Sequence, residues 1–358
     1  MTNEVYAVLF AENTYNRSLD CYHLTTVRTA TVMGTTNTNW YLPLLNKSCD
    51  VKYWNSATRA TTLGSRELQT ASRKALLKRA DQCSLMAHIE NLWVYPVKGL
   101  DRMEVKSIEI NEAGTFHRDR EYAMLNPEED SVIEDRFDSV GKTFNGKEID
   151  HTHEVTSSFD PETDELTLRM RETGTTHTFD LTSERGGASE WFSDFVGEPV
   201  ELRQKEPPSF IDRPKLGPSV ISTGTLEEVA SWFDDMTVEG ARIRLRPNIE
   251  IGGVPAFWED RFLGEDPGGF EVGQTRFEGA EACARCVVPS RDPDTGHPTE
   301  DFEQRFAERR EKSLPEWAPE EEFEHFFTVM LITRVPESSR GDAVRVGDEV
   351  SVSDELEA

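Results

Sequence analysis

Met86-Ala-His-Ile-Glu-Asn-Leu-Trp-Val-Tyr-Pro-Val-Lys98 is the stretch on which the fold of this 358-residue chain turns. From Ile89 to Tyr95 it is apolar and rich in strand-favouring residues, and Pro96 closes it. Val105-Lys-Ser-Ile-Glu-Ile110 comes next, with apolar side chains at Val105, Ile108 and Ile110, close to the period of two of a half-buried strand. Tyr122–Leu125, Glu165–Arg169 and His177–Leu181 continue the pattern, separated by Gly, Asp and Asn turns. Helices are few. Ala188–Val196 reads as one, stopped by Gly197-Glu-Pro199. Leu226–Asp234 reads as another, with Thr225 as N-cap and Glu227 and Glu228 in the first turn. A third, more charged, runs from about Glu300 to Lys312, before a strand at Phe326–Ile332 and a closing strand near Val344–Val352. Many short strands and a few peripheral helices predict a mainly β or α+β protein built of barrel-like layers, with an internal boundary near residue 185.

Upstream of Met86 the composition is different. Residues 1–85 hold 6 acidic and 10 basic side chains, a net of +4, so the rest carries -32 of the total -28. This first segment is rich in Thr and Asn, lacks clear periodicity and holds Cys21, Cys49 and Cys83. It reads as an atypical extension, either flexible or preceding the true start of translation. Residues 86–184 and 185–352 read as two domains, with a short tail at 353–358.

The acidic excess is spread along the chain, in runs such as Asn126-Pro-Glu-Glu-Asp130, and is interleaved with apolar residues. Such dispersion fits a surface adapted to high salt, where screening removes self-repulsion. It argues against nucleic-acid binding, which needs a basic stripe, and against an anionic membrane surface. No run approaches the ~20 apolar residues of a spanning helix. The start lacks a basic n-region followed by an apolar stretch, so the expected location is the cytoplasm. Five cysteines are too few for a disulfide scaffold of this length.

The sharpest local feature is Ala282-Cys-Ala-Arg-Cys-Val-Val-Pro-Ser-Arg-Asp-Pro-Asp-Thr-Gly296. Structural zinc would need four ligands, and neither a second Cys pair nor a suitably spaced His pair is present. A thioredoxin-like redox pair would open a helix, whereas Val-Val-Pro and a turn follow here. Two readings stand: a pair of packed cysteines, or one thiolate on a soft metal, with Arg285 favouring the charged sulfur of Cys286. Arg244-Leu-Arg-Pro-Asn-Ile249 is a second feature. Pro247 disfavours helix at Arg246 and predicts an extended backbone, which would put Arg246 and Asn248 on one strand face, ready to hold a phosphate or a pterin edge. The alternative is ordinary surface arginines paired with carboxylates. Lys98, in Tyr95-Pro-Val-Lys-Gly99, and Arg120, in Phe116-His-Arg-Asp-Arg-Glu-Tyr122, are further cations worth weighing in so acidic a chain.

Taken together and in order, these motifs resemble a known family. Tyr95-Pro-Val-Lys98 and Gly114 with Arg118-Asp-Arg120 resemble the MOSC N-terminal β-barrel domain. Arg246-Pro-Asn-Ile249, Ala256-Phe-Trp-Glu-Asp260, Cys283-x-Arg-Cys286 with Asp292-Pro-Asp-Thr-Gly296, and Arg345-Val-Gly-Asp-Glu-Val350 resemble the MOSC domain. The match covers residues 86–352, and its nearest branch resembles the amidoxime-reducing proteins, here in an acidic, haloarchaeal-type version. The resemblance implies a molybdenum cofactor with a single molybdopterin, and oxygen-atom removal from N-hydroxylated or N-oxide-type small molecules. The metal would cycle between Mo(IV) and Mo(VI), and water would leave after two protons and two electrons arrive.

It further implies that Cys286 is the metal ligand and that Lys98, Arg120, Arg246, Asn248 and Arg285 contact the cofactor. Asp260 falls at a position implied to relay protons or touch substrate, so the implied catalytic residues are Cys286 and Asp260. Two positions depart from the pattern: Gly99 and Ala284 stand where the family often has Ser. Residues 297–358 contain no cysteine for a fused ferredoxin cluster, so the electrons are expected from a separate ferredoxin or a flavin- or haem-linked reductase. The family's sulfurase members offer an alternative, a sulfur carrier or cofactor-handling protein with a persulfide on Cys286. That family-level association brings pyridoxal phosphate with it, but no desulfurase domain is legible in this chain.

Overall fold

The computed structural model describes residues 6–13, 24–32, 87–127, 143–265 and 267–352. The chain divides into two compact units, Met1–Leu68 and Gln69–Ala358. In the first, strands Tyr6–Asn13 and Leu24–Val32 pair as an antiparallel hairpin, Tyr6 opposite Val32. The remainder of the expected extension, including Cys21, Cys49 and Cys83, and the expected tail at 353–358 lie outside the described residues.

The second unit is mainly β. Its largest sheet has eight strands in the order Val350–Val352, Gly269–Val272, Thr275–Ala284, Thr328–Arg334, Ser219–Ser222, Ile249–Gly252, His88–Val94, Met103–Val105. All its neighbours are antiparallel except Ser219–Ser222 and Ile249–Gly252, which run parallel. Parallel neighbours need a crossover. Here it holds helices α2 (Thr223–Ser231) and α3 (Val238–Leu245). Helix α1 (Arg185–Val196) precedes them and α4 (Phe302–Lys312) follows. Among the described residues these are the four α-helices.

Two smaller sheets lie on the N-terminal side of the unit. One is the meander Val155–Asp160, Glu165–Met170, Thr176–Asp180; the other joins Thr143–Phe144, Tyr122–Leu125 and Glu201–Gln204. Their core includes Tyr122, Leu166, Leu168, Ala188, Phe192 and Leu202. Ala188 and Phe192 are four apart on one face of α1, so that helix belongs with these sheets. Two serines of α1 also fasten the chain entering strand Glu201–Gln204: Leu202 N–H donates to Ser189 Oγ (2.9 Å) and Val200 N–H to Ser193 Oγ (2.9 Å). The expected boundary near residue 185 therefore falls at the start of a helix that packs with the preceding strands. Gly197 ends α1 in a left-handed conformation, φ 83°, as its sequence predicts.

The residues after Val94 join the large sheet to the smaller ones. Arg120 N–H donates to Tyr95 O (2.8 Å), Tyr122 N–H to Pro96 O (2.9 Å) and Lys98 N–H to Tyr122 O (2.8 Å). Strand His88–Val94 thus leaves one sheet and its continuation bridges to another, carrying Lys98 into the seam.

Several sequence expectations change in detail. Val105–Ile110 is two strands in different sheets, Met103–Val105 and Ser107–Glu109. The closing strand is likewise two, Ala343–Arg345 and Val350–Val352. The N-cap of α2 is Ser222, whose Oγ accepts from Thr225 N–H at 3.1 Å, and Glu227 and Glu228 fall beyond the first turn. Thr225 lies inside the helix, where its Oγ1 accepts from Phe257 N–H (2.6 Å) and pins the loop that carries Glu259 and Asp260.

That loop contributes an unusual core group. Glu259 is fully buried, its carboxylate has no well-formed hydrogen bond among the described residues, and approaches from Thr225 and the Ser222 backbone only partly offset its burial. Burial, reinforced by Asp260, pushes its carboxyl up to about 7. The folded state therefore keeps a proton that the unfolded chain releases nearer pH 4.5. Stability should fall as pH rises between those values, by about 3 kcal/mol in all, and stay low above them. Glu259→Gln should flatten this slope and be the more stable protein at pH 8, as denaturant titrations between pH 5 and 8 would show.

Candidate functional site

The seam between the large sheet and the N-terminal sheets opens into a cavity of about 290 Å³. Among its lining side chains are nine Lys and Arg against five Asp, the reverse of a chain whose net charge is -28. Lys98, Arg120, Arg246, Asn248, Arg285 and Cys286 all line it. Asp260 does not.

Arg246 is the corner of this site. It is the C-cap of α3, in the left-handed region (φ 56°, ψ 51°), with its N–H donating to Arg242 O at 3.0 Å. The expected extended geometry is wrong here. Pro247 does stop the helix, but the chain leaves it through a left-handed cap. Arg246 and Asn248 thus meet at a helix–strand junction and do not share one strand face. The guanidinium of Arg246 packs 4.1 Å from the Tyr95 ring centroid and donates from Nη2 to Leu100 O (2.7 Å). Arg120, also left-handed (φ 53°), packs 4.7 Å from the same ring. Tyr95 is buried, and its hydroxyl donates to Pro247 O at 3.0 Å.

Asp119 ties this group together. Its carboxylate accepts from Tyr95 N–H (2.8 Å), from Asn248 Nδ2 (3.2 Å) and from Arg120 Nη1. Asn248 completes its own bonding with Ser219, whose N–H (3.2 Å) and Oγ (3.1 Å) donate to its Oδ1, and with Trp93 O, to which Nδ2 also donates (3.1 Å). Its amide is fully used inside the protein, so Asn248 is a wall that fixes the junction.

Lys98 is almost enclosed and donates from Nζ to Phe210 O (3.1 Å) and to Asp212. Burial lowers its pKa, and Asp212 opposes that shift. Partial desolvation works against the Asp212 carboxylate, whose side chain stays 55% exposed, but Lys98, with Lys147 and Arg120, holds it below the usual range. Gly99 has φ +91°, and a Cβ there would sit 3.0 Å from Asn145 Cβ. Glycine at this position adopts the positive-φ backbone without the strain that a Cβ close against Asn145 would bring.

The cysteine segment leaves strand Thr275–Ala284. Its pairing with Thr328–Arg334 is irregular between Ala282 and Ala284, opposite Met330, which is itself left-handed at φ 80°. Arg120, Arg246 and Met330, three non-glycine residues with strained backbones, therefore line one cavity, as is common at functional sites. Cys283 is buried and Cys286 partly exposed, and both are free thiols. Arg285 was expected to serve Cys286. Its Nη1 instead donates to Cys283 Sγ at 3.2 Å and its Nη2 to Leu245 O at 2.9 Å. The Nε atoms of Arg285 and Arg244, both cavity-lining residues, are buried without a partner among the described residues. Unused donors on cationic side chains suit an anionic ligand.

Asp260 lies in the short 3-10 helix Trp258–Phe262, 4% exposed and ion-paired to Arg310. The expected relay is therefore a core ion pair away from the cavity. Conversely, sequence reasoning missed Asp119, Asp212, Arg213 and Arg244 as site residues. Asp119 lay in a quoted motif, between two arginines that drew the attention; Asp212 and Arg213 lie on an irregular loop with no periodic signal.

Residues 86–199 match the MOSC N-terminal beta barrel domain and residues 219–351 match the MOSC domain. The chain belongs to the MOSC family, which is associated with molybdenum-cofactor binding. It is also similar to the mitochondrial amidoxime-reducing component 1 of Mus musculus, 23% identical over 278 residues that cover 66% of this chain and 78% of that protein. No helix among the described residues is long and apolar enough to cross a membrane.

Proposed function

We propose that this chain is a molybdenum-cofactor-dependent oxidoreductase that removes oxygen from N-hydroxylated or N-oxide-type small molecules. The observation that carries the reading is the convergence of a partly exposed thiol, Cys286, with Lys98, Arg120, Arg246 and Arg285 in one cation-rich cavity of an acidic protein. The donor set fits. Among the described residues no cluster of three His, Cys, Asp or Glu gathers that could hold a metal unaided. A metal here would take the Cys286 sulfur from the protein, with the rest of its donors supplied by the cofactor. Lys98, Arg120 and Arg246 would hold that group's phosphate, and the unused Nε donors of Arg244 and Arg285 are available to its polar edges.

When bound, the cofactor supplies two-electron chemistry at its metal. The protein's part is positional. Asp119 fastens Tyr95, Asn248 and Arg120, Arg246 packs on the Tyr95 ring, and Asp212 opposes at Lys98 the loss of charge that burial favours. Electrons come from a separate donor, a ferredoxin or a flavin- or haem-linked reductase. The similarity to an amidoxime-reducing component supports an N-hydroxylated substrate.

The test is conversion of benzamidoxime to benzamidine by the full chain under reduced methyl viologen. Wild type should turn over and Cys286→Ala should not. A cyanolysable sulfur on Cys286 in a protein without this activity would favour the sulfur-carrier alternative.

A further inference from the structure

Among the described residues four large hydrophobic side chains are exposed: Ile243 (38%), Val287 (48%), Trp317 (41%) and Val352 (36%). Single exposed apolar residues are ordinary on a soluble protein. Two of these four, however, stand at the mouth of the cavity. Ile243, in the last turn of α3, lines it, and so do Cys286 and Val288 on either side of Val287. Hydrogen bonds brace the two segments to each other: Arg244 Nη1 donates to Pro289 O (3.0 Å) and Arg285 Nη2 to Leu245 O (2.9 Å). The other exposed lining residues are Asp101, Lys147, Asp150, Arg171 and Asp212. Four of these five charges are already engaged within the protein. Asp150 pairs with Arg291 (2.7 Å), Arg171 with Asp294 (3.1 Å) and Asp212 with Lys98, while Asp101 accepts from Ser157 N–H (2.8 Å). The cavity itself, about 290 Å³, lies at the lower end of the ~300 Å³ and upward found for sites that enclose a drug-sized ligand. A bound cofactor would fill most of it. A substrate that reacts beside Cys286 therefore brings in its reacting group and leaves its body at the mouth.

We propose that Ile243 and Val287 form an apolar lip that selects substrates carrying an aromatic or bulky aliphatic body beside the N-hydroxylated group. Contact with such a body removes apolar surface from water on both sides, whereas a small polar substrate gains little from it. The lip meets the body of the substrate and not its reacting atoms. It therefore acts on KM and leaves kcat unchanged. This choice of occupant rests on the function proposed above.

The test compares benzamidoxime with acetamidoxime, which carries the same reacting group on a single methyl. Full-length, molybdenum-loaded wild type, Ile243→Ser, Val287→Ser and the double variant are assayed under reduced methyl viologen. Val352→Ser serves as a control, an exposed apolar residue outside the cavity lining. The double variant should raise KM for benzamidoxime about tenfold, each single variant by part of that. Its kcat per bound molybdenum, its acetamidoxime kinetics and its molybdenum content should match wild type, as should every property of the control. Calorimetry supplies a readout without turnover. Benzamidoxime binding to the oxidised, loaded protein, which has no electrons to give, should weaken by the same factor. A KM for benzamidoxime that stays unchanged, that rises equally for both compounds, or that rises as much in Val352→Ser would overturn the proposal. If wild type reduces neither compound, the proposed function fails and calorimetry alone decides the lip. Weaker benzamidoxime binding in the double variant would then uphold it, and equal or absent binding would overturn it.

Discussion

Replacing Arg310 with methionine should destabilise the protein by about 3–5 kcal/mol, the usual cost of leaving a buried charge without its partner. Arg310 is completely buried, ion-paired to Asp260, with Nε donating to Thr328 O at 3.2 Å. Its guanidinium also lies 4.1 Å from the Phe257 ring centroid and 4.9 Å from that of Phe323. Removing it strands Asp260 beside Glu259, whose carboxyl is already hard to ionise. Denaturant unfolding should show the loss directly. Asp260→Asn should behave similarly but, per folded and loaded molecule, keep its turnover. An unchanged unfolding midpoint with a collapse of kcat would restore Asp260 to the catalytic machinery.

Asp119→Ala should produce the second large effect, and on both stability and binding. It leaves the Tyr95 N–H and the Asn248 amide without their acceptor and removes the counter-charge of Arg120. Each buried donor left unmet costs about 1–3 kcal/mol, so the total should reach about 3–5 kcal/mol. The cradle formed by Tyr95, Arg120 and Arg246 should loosen with it, so the variant should also retain less molybdenum than wild type. Asp119→Asn, which keeps an acceptor for Tyr95 N–H, should recover most of the stability and less of the metal retention.

Much of the frame is written locally. Ile89–Tyr95, Tyr122–Leu125, Glu165–Arg169 and His177–Leu181 show their strands because alternating or continuous apolar residues meet clear turn residues. Helix α1 announces its end through Gly197. What escapes the sequence is whatever depends on partners far along the chain. Val105–Ile110 reads as one strand because nothing local shows that its halves pair with different sheets. Helix α3 is short and contains Gly240, and its last turn carries arginines whose role emerges only when Arg246 caps it and meets Tyr95. Pro247 announces a break at Arg246 but not which non-helical conformation the chain adopts there. Asp119 and Asp260 look alike as acids beside a motif, yet one organises the cavity and the other neutralises Arg310 in the core. Only three-dimensional packing separates them.

The central claim is that a cofactor's metal is held by the Cys286 sulfur inside this cationic cavity. Elemental analysis of wild type, Cys286→Ala and Cys283→Ala, each purified from cells that supply the cofactor, measures it most directly. Wild type should carry close to one molybdenum per chain, Cys283→Ala a comparable amount, and Cys286→Ala almost none. Equal molybdenum in wild type and Cys286→Ala would contradict the account.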